Sequence, residues 1–330
     1  MEKGNFNYEL FDEEILSRLS LDLRNVLKSV NIDILENAEE IRLRVNNPLI
    51  ISENNCDHFI GPNGNKTSSP NNGYIVTKGD IRRTLSFLTD NSIYALENEI
   101  KNGYITLKGG HRVGFTGKTV LEKGSIKIIK NITSLNIRIS REILGASDKV
   151  IKYIINPINK RIFNTLIVSP PNCGKTTMLR DIIRQISNGI HSIKFKGVNV
   201  GVIDERSELA NIHDGVSTNN LGIRTDILDS CPKREGVTIL LRSMAPHVIA
   251  TDEIGKDSDV LAIEEAINAG VSIITTVHGA SIKEIQQRPV IKEIISKRFF
   301  DIIIFLSRAN GPGTIEQVIC GKNLHSLYKR

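Results

Sequence analysis

The sequence predicts an α/β protein: a C-terminal domain built on a mainly parallel sheet with covering helices, preceded by a smaller α+β N-terminal domain. Three observations predict it. From about Lys149 onward, short apolar strands alternate with helical stretches, which is the pattern of a parallel sheet. The run Ser169-Pro170-Pro171-Asn172-Cys173-Gly174-Lys175-Thr176-Thr177 stands between an apolar strand and a helix-spaced segment, where a phosphate-binding loop belongs. The apolar stretch Val248 to Thr251 ends in two carboxylates, Asp252 and Glu253. The change of composition near residues 140–150 divides the chain into domains over 1–145 and 146–330.

The 330 residues suffice for two hydrophobic cores. Hydrophobic content of 40% and charged content of 24% are ordinary for a soluble globular protein. The net charge of +6 is compatible with nucleic acid or an anionic membrane face and demands neither. Cys56, Cys173, Cys231 and Cys320 form no C-x-x-C pair, which argues against zinc and for reduced thiols. Met1 to Asn5 carries no signal-peptide pattern, and the longest apolar runs, such as Ile302 to Leu306, are too short to span a bilayer. The expectation is a cytoplasmic protein that reaches a membrane through a partner or a surface.

In the first domain, helix-like segments lead to an extended run, Glu40 to Val45, and then to a polar loop from Asn54 to Gly73. Lys78 to Tyr94 reads as a helix with Leu85, Leu88 and Ile93 on its apolar stripe. Gly103 to Thr119 alternates as strands punctuated by glycines, and Ile126 to Ile139 continues them. In the second domain, Val198 to Ile203 is a buried strand. Pro232 suits the first position of a helix reaching Met244, with Asp229 or Ser230 as its cap. His247 to Thr251 is a strand; Asp257 or Ser258 caps a helix from Asp259 to Ala269, and Gly270 ends it. Val271 to Thr276 is a strand, and Ser281 to Glu284 forms a capping box for the next helix. Phe300 to Ser307 and Ile315 to Cys320 close the domain as strands.

The chemistry gathers where these strands end, as in other open α/β sheets. Pro170 and Pro171 lack an N–H, so phosphate donors run from Asn172 through Cys173, Gly174, Lys175, Thr176 and Thr177. Lys175 would reach the β- and γ-phosphates, and the Thr176 hydroxyl would ligate Mg²⁺. Ser169 replaces the first glycine of G-x-x-x-x-G-K-[ST]. Asp252 would hold the magnesium shell, and Glu253 would polarise the attacking water; the plain alternative is a solvated acidic pair. A second acidic cluster, Asp204 to Glu208, offers Asp204 and Glu208 to orient water or complete the metal shell, against the alternative of a charged capping loop. His278, after Thr275-Thr276-Val277, is placed to sense a γ-phosphate. Among many arginines Arg112 stands out, flanked by Gly109-Gly110 and Gly114.

These residues carry a resemblance. Gly103 to Thr106, Gly109 to Gly114, the 169–177 loop, Asp204 to Glu208, Arg224 to Asp226, Cys231 to Lys233, Arg242 to Met244, Asp252 to Gly255 and Thr275 to Gly279, with Tyr94 to Glu97, resemble the stage III sporulation protein AA family. That family is related to the type II and type IV secretion ATPases, and the resemblance spans roughly residues 35–320. It implies a RecA-like P-loop ATPase core using ATP and Mg²⁺. It also implies a homo-oligomeric ring, expected to be a hexamer with nucleotide between subunits, acting from the mother cell on a membrane protein of the channel to the forespore. Asp204 to Glu208 and Thr276 to His278 look like the Asp box and His box of secretion ATPases. Arg206 stands where that Asp box has a proline, which leaves Asp204, Glu208 and Glu253 as alternatives for activating water. Arg112 and Arg138 resemble the family arginines that reach nucleotide from a neighbour's N-terminal domain. Two other readings stand beside the motor: a nucleic-acid-dependent ATPase, which the absence of Trp and scarcity of aromatic residues count against, and a nucleotide-gated scaffold with little hydrolysis.

Overall fold

The computed structural model describes residues 7–53, 56–89, 103–122, 125–140, 143–213 and 215–330. The chain divides into two compact units, residues 5–141 and 142–330.

The first unit opens with α1 (Tyr8–Glu14), α2 (Leu21–Lys28) and α3 (Ile32–Asn37), then β1 (Ala38–Arg44), β2 (Ile50–Glu53), β3 (Cys56–Ile60), β4 (Lys66–Thr67) and α4 (Lys78–Leu88). It ends with β5 (Tyr104–Thr106), β6 (Arg112–Glu122) and β7 (Ser125–Arg138). The seven strands form one antiparallel sheet in the order β4-β3-β2-β1-β7-β6-β5. Strand alternation fixes which face is the core: Ile41 and Leu43 of β1, Val113 and Phe115 of β6, and Leu135 and Ile137 of β7 are buried with Leu19, Leu23 and Leu27. The opposite face carries Glu40, Arg42 and Arg44. The segment read as a polar loop from Asn54 to Gly73 instead holds β3 and β4. Its polar composition misled because β4 is the two-residue edge strand and β3 lies next to it, where of Cys56 to Ile60 only Ile60 is buried. α4 is described to Leu88, and its buried face is Ile81, Thr84 and Leu88 with Asp80, while Leu85 is half-buried. The expected continuation through Ile93 and Tyr94, with the run Tyr94 to Glu97, lies outside the described residues.

The second unit holds α5 (Ile151–Ile154), β8 (Thr165–Ser169), α6 (Lys175–Asn188), β9 (Val200–Asp204), the hairpin of β10 (Ile212–His213) and β11 (Val216–Ser217), β12 (Thr225–Asp229) and α7 (Lys233–Ser243). There follow β13 (Val248–Glu253), α8 (Asp257–Asn268), β14 (Ser272–His278), α9 (Ile282–Ile285), α10 (Pro289–Ser296), β15 (Ile302–Ser307), β16 (Thr314–Cys320) and β17 (Ser326–Lys329). Eight strands make one sheet, β12-β9-β13-β14-β8-β15-β16-β17. β12 through β15 run parallel, and the last two are antiparallel. Both faces are covered: Ile167 of β8 packs with Met178 and Ile182 of α6, whereas Leu166 and Val168 pack with residues of α7, α8 and α10. That is why β8 and β9 are buried at all five positions and read as unbroken apolar runs.

Several helix starts differ from expectation. Pro232 is the N-cap of α7, not its first residue, and no side chain caps it. α8 begins at Asp257, so neither Asp257 nor Ser258 caps it. The Asp259 carboxylate does the work, accepting from the N–H of Gly255 at 2.8 Å and of Lys256 at 2.9 Å. Ser281 Oγ accepts from Glu284 N at 3.3 Å, but the Glu284 carboxylate reaches back to Ala280 N, one residue beyond the capping-box position. β12 and β17 went unread: both lie at sheet edges, and no residue of either is fully buried.

Candidate functional site

β8 delivers the chain to the 169–177 loop. Ser169 is fully buried at the strand end and its carbonyl accepts from Gly279 N, tying the loop's entry to the end of β14. Asn172 and Gly174 adopt left-handed backbone, φ +56° and +82°. A Cβ on Gly174 would sit 2.9 Å from Gly313 N, and Gly313 N donates to Cys173 O at 2.8 Å. The turn between β15 and β16 thus braces the loop. Met178 N donates to Gly174 O, so the N–H groups before it precede the first intrahelical bond and face outward at the start of α6. Gly174→Ala is expected to cost about 1–3 kcal/mol in urea unfolding, from left-handed strain and the clash with Gly313.

The C-terminal tips of β9, β13 and β14 lie beside this loop. Register places His278 opposite Ser169 and Glu253 opposite Thr276. An irregularity in β13 between Ala250 and Glu253 breaks the strict alternation, and the consecutive carboxylates Asp252 and Glu253 line one cleft. Lys175, Thr176, Leu179, Arg206, Glu208, Leu209 and Thr276 line it with them. Lys175 Nζ lies 3.0 Å from His278 Nδ1 and 3.6 Å from Glu253 Oε2, and His278 Nε2 lies 2.9 Å from Glu253 Oε2. Burial lowers the Lys175 pKa, and the Glu253 charge partly restores it.

A second ionic chain runs beside the first. Asp252 Oδ1 lies 2.7 Å from Lys233 Nζ, and Lys233 also pairs with Glu205, whose Oε1 is 2.9 Å from Lys256 Nζ. Hydrogen bonds from Lys233 and Lys256 hold the Glu205 pKa down at about 2. Burial pushes the Asp252 pKa up against the pull of Lys233. Burial works to lower the Lys233 pKa, and its bonds to Asp252 and Glu205 outweigh that. Both Asp252 oxygens are buried with no hydrogen-bond partner among the described residues, Oδ1 meeting Lys233 as an ion pair only.

Of the carboxylates foreseen for water activation, Asp204 is placed elsewhere. Its side chain is fully buried and accepts from the N–H groups of Glu208, Leu209 and Ala210, each at 2.8 Å, so it shapes the loop after β9 and does not line the cleft. Burial raises its pKa while those three donors oppose the rise. Glu208 and Glu253 do line the cleft, as do Lys175, Thr176 and Asp252. Cys173 is buried under the loop, Asn172 is exposed at its crest, and Thr177 is half-buried on α6. Two features were missed. Lys233 escaped because a lysine after proline looks like an ordinary helix start, and the Gly311–Gly313 turn because its contact is long-range.

In the first unit, Arg112 and Arg138 are direct cross-strand partners on β6 and β7. The Arg112 guanidinium lies 5.5 Å from the Tyr104 ring centroid. Arg138 Nε is 3.6 Å from Glu40 Oε1, and its side chain is 65% exposed. Arg42, bonded to the same Glu40, belongs to this face, whose other side is the core.

With this geometry established, comparison with known proteins is specific. Over 305 residues, 92% of this chain and 94% of the relative, it is 39% identical to "Stage III sporulation protein AA" of Bacillus subtilis (strain 168). Its fold is similar to that of the ATPase DotB of Legionella pneumophila, with TM-score 0.53 and 14% identity, covering 90% of this chain and 79% of the other. It is similar as well to the pilus retraction motor PilT, solved with bound ADP, with TM-score 0.51 and 15% identity over 83% and 75% of the two chains. The fold is thus shared with these two proteins, an α/β RecA-like core with a smaller α+β N-terminal part. The family described as "Sporulation stage III, protein AA" matches residues 11–324, and the chain belongs to that family.

Proposed function

We propose that this protein binds ATP with Mg²⁺ and hydrolyses it as the motor of a homo-oligomer, a hexamer, that energises a membrane channel or secretion complex between mother cell and forespore. The observation that carries the reading is the convergence of Lys175, Thr176, Glu208, Asp252 and Glu253 on one cleft at the carboxyl ends of parallel strands. The kinship with a sporulation protein, and the fold shared with a retraction motor and an ATPase, supply the setting. No helix among the described residues is long and apolar enough to cross a membrane.

The residues divide the work. Backbone N–H groups from Asn172 to Thr177 bind the phosphates. Lys175 exchanges its contacts with His278 and Glu253 for the β- and γ-phosphates. Glu253, released from the lysine, takes a proton from the attacking water, with Glu208 across the cleft to orient it and His278 to register the γ-phosphate. Mg²⁺ suits the site: Asp252, whose carboxylate oxygens are buried without a hydrogen-bond partner among the described residues, and Thr176 line the cleft and offer hard oxygen donors. When bound, the ion would neutralise phosphate charge as the γ-phosphate is attacked, with Asp252 and Thr176 as the residues to hold it. Arg112 and Arg138 supply positive charge to the nucleotide of a neighbouring subunit.

The test is ATP turnover per subunit against protein concentration. A rate that climbs and then levels is the expected outcome, because a neighbour completes each site. A flat rate removes the arginines' role in trans, and no rate above a Lys175→Ala blank leaves a nucleotide-gated scaffold. Lys175→Ala itself is expected to weaken ATP binding by about 1.5–3 kcal/mol, roughly ten- to a hundred-fold, read by titration of a fluorescent nucleotide. Unchanged affinity would sink the phosphate-loop reading.

A further inference from the structure

Lys233 sits where a lysine is physically out of place. It is the first residue of α7, at the positive end of the helix dipole, and its side chain is only 5% exposed. Burial and the dipole both disfavour an ammonium group there. Something must compensate, and the surroundings show what does. Asp252 at the tip of β13 lies 2.7 Å away on one side, and Glu205, just after the tip of β9, pairs with it on the other. Asp259 adds a further negative charge from the first turn of α8. Lys256 closes the chain by holding the second oxygen of Glu205.

The two oxygens of Asp252 are therefore unequal. Both are buried without a hydrogen-bond partner among the described residues, but Oδ1 forms an ion pair with Lys233 at 2.7 Å, while Oδ2 has no such cation beside it and belongs to a residue that lines the cleft with Thr176. A carboxylate at a strand tip can rotate about χ2, and one bond to a buried, immobile cation removes that freedom. The backbone of Asp252 is fixed as well, since its carbonyl accepts from Thr275 Oγ1 at 2.7 Å. We propose that Lys233 is a positioning residue: clamped between Glu205 and Asp252, it holds the Asp252 carboxylate with one oxygen presented to the Mg²⁺ of the bound nucleotide. This rests on the ATP–Mg²⁺ reading above. Partners that orient a metal-binding group from behind typically govern metal affinity by about 10- to 100-fold.

The experiment measures binding of a fluorescent ADP to the full chain in EDTA and in Mg²⁺, for the parent, Lys233→Met and Glu205→Gln. Methionine keeps the length and packing of lysine and removes the charge. The parent is expected to bind more tightly with Mg²⁺. Lys233→Met should bind ADP in EDTA within about two-fold of the parent, yet lose at least about ten-fold of the Mg²⁺-dependent gain. A lysine needed only for packing would leave that gain intact, and this result overturns the proposal. Glu205→Gln loosens the clamp from its more exposed side and should reduce the gain by a smaller factor, with EDTA binding unchanged. If Lys233→Met does not fold, as thermal melting would reveal, Glu205→Gln decides alone: an undiminished gain overturns the proposal, and a reduced one supports it. A parent that binds no ADP under either condition defeats the proposed function, an outcome separate from all of these.

Discussion

Glu253→Gln is expected to lower the turnover number by about 10²–10⁴-fold while leaving ATP bound, because the amide keeps the shape of the carboxylate and cannot accept a proton. The geometry sharpens this expectation. Glu253 Oε2 is shared between His278 Nε2 at 2.9 Å and Lys175 Nζ at 3.6 Å, so the base is held by the lysine that must leave it for phosphate. Glutamine weakens that hold, and ATP affinity should stay level or rise. Single-turnover phosphate release alongside nucleotide titration separates the two effects. Loss of affinity in parallel with rate would reassign Glu253 to phosphate binding, and an unchanged rate would pass the base role to Glu208.

Asp204→Ala should do the opposite, damaging the fold before the chemistry. Its carboxylate satisfies three backbone N–H groups in a fully buried place. Removing it strands those donors, and charge-assisted bonds of about 1.5–3 kcal/mol each, added incompletely, give an expected loss of about 3–5 kcal/mol in denaturant unfolding of the second unit. A normally stable Asp204→Ala protein with reduced turnover would restore this residue to the catalytic set.

How much was legible can be judged from these same residues. The strands beneath the cleft announced themselves because sheet segments covered on both faces must be apolar throughout, as β8 and β9 are. The loop's course was legible because the left-handed backbone at Gly174, between a strand and a helix start, is demanded locally. Asp204 and Glu208 could not be told apart, since both are acidic residues after a strand. What separates them is which one meets backbone donors, and that depends on the course of Leu209 and Ala210 in three dimensions. Lys233 illustrates the same limit: its meaning comes from Glu205 and Asp252, 28 and 19 residues away in sequence. Edge strands such as β4, β12 and β17 were hidden for the converse reason, because a half-solvated strand has no need of an apolar signature.

The position of β8 in its sheet has a consequence for the birth of the protein on the ribosome. β8 is interior, and its two neighbours come far later in the chain: Thr165 is opposite Ile274 on one side and Ile302 on the other. Gly313, which steadies the loop through Cys173, is made later still. Such distant pairings carry a large loop-closure entropy and form slowly. A nascent chain stalled before Ile302 thus carries the whole 169–177 sequence without the strand β15 that flanks β8 in the finished sheet.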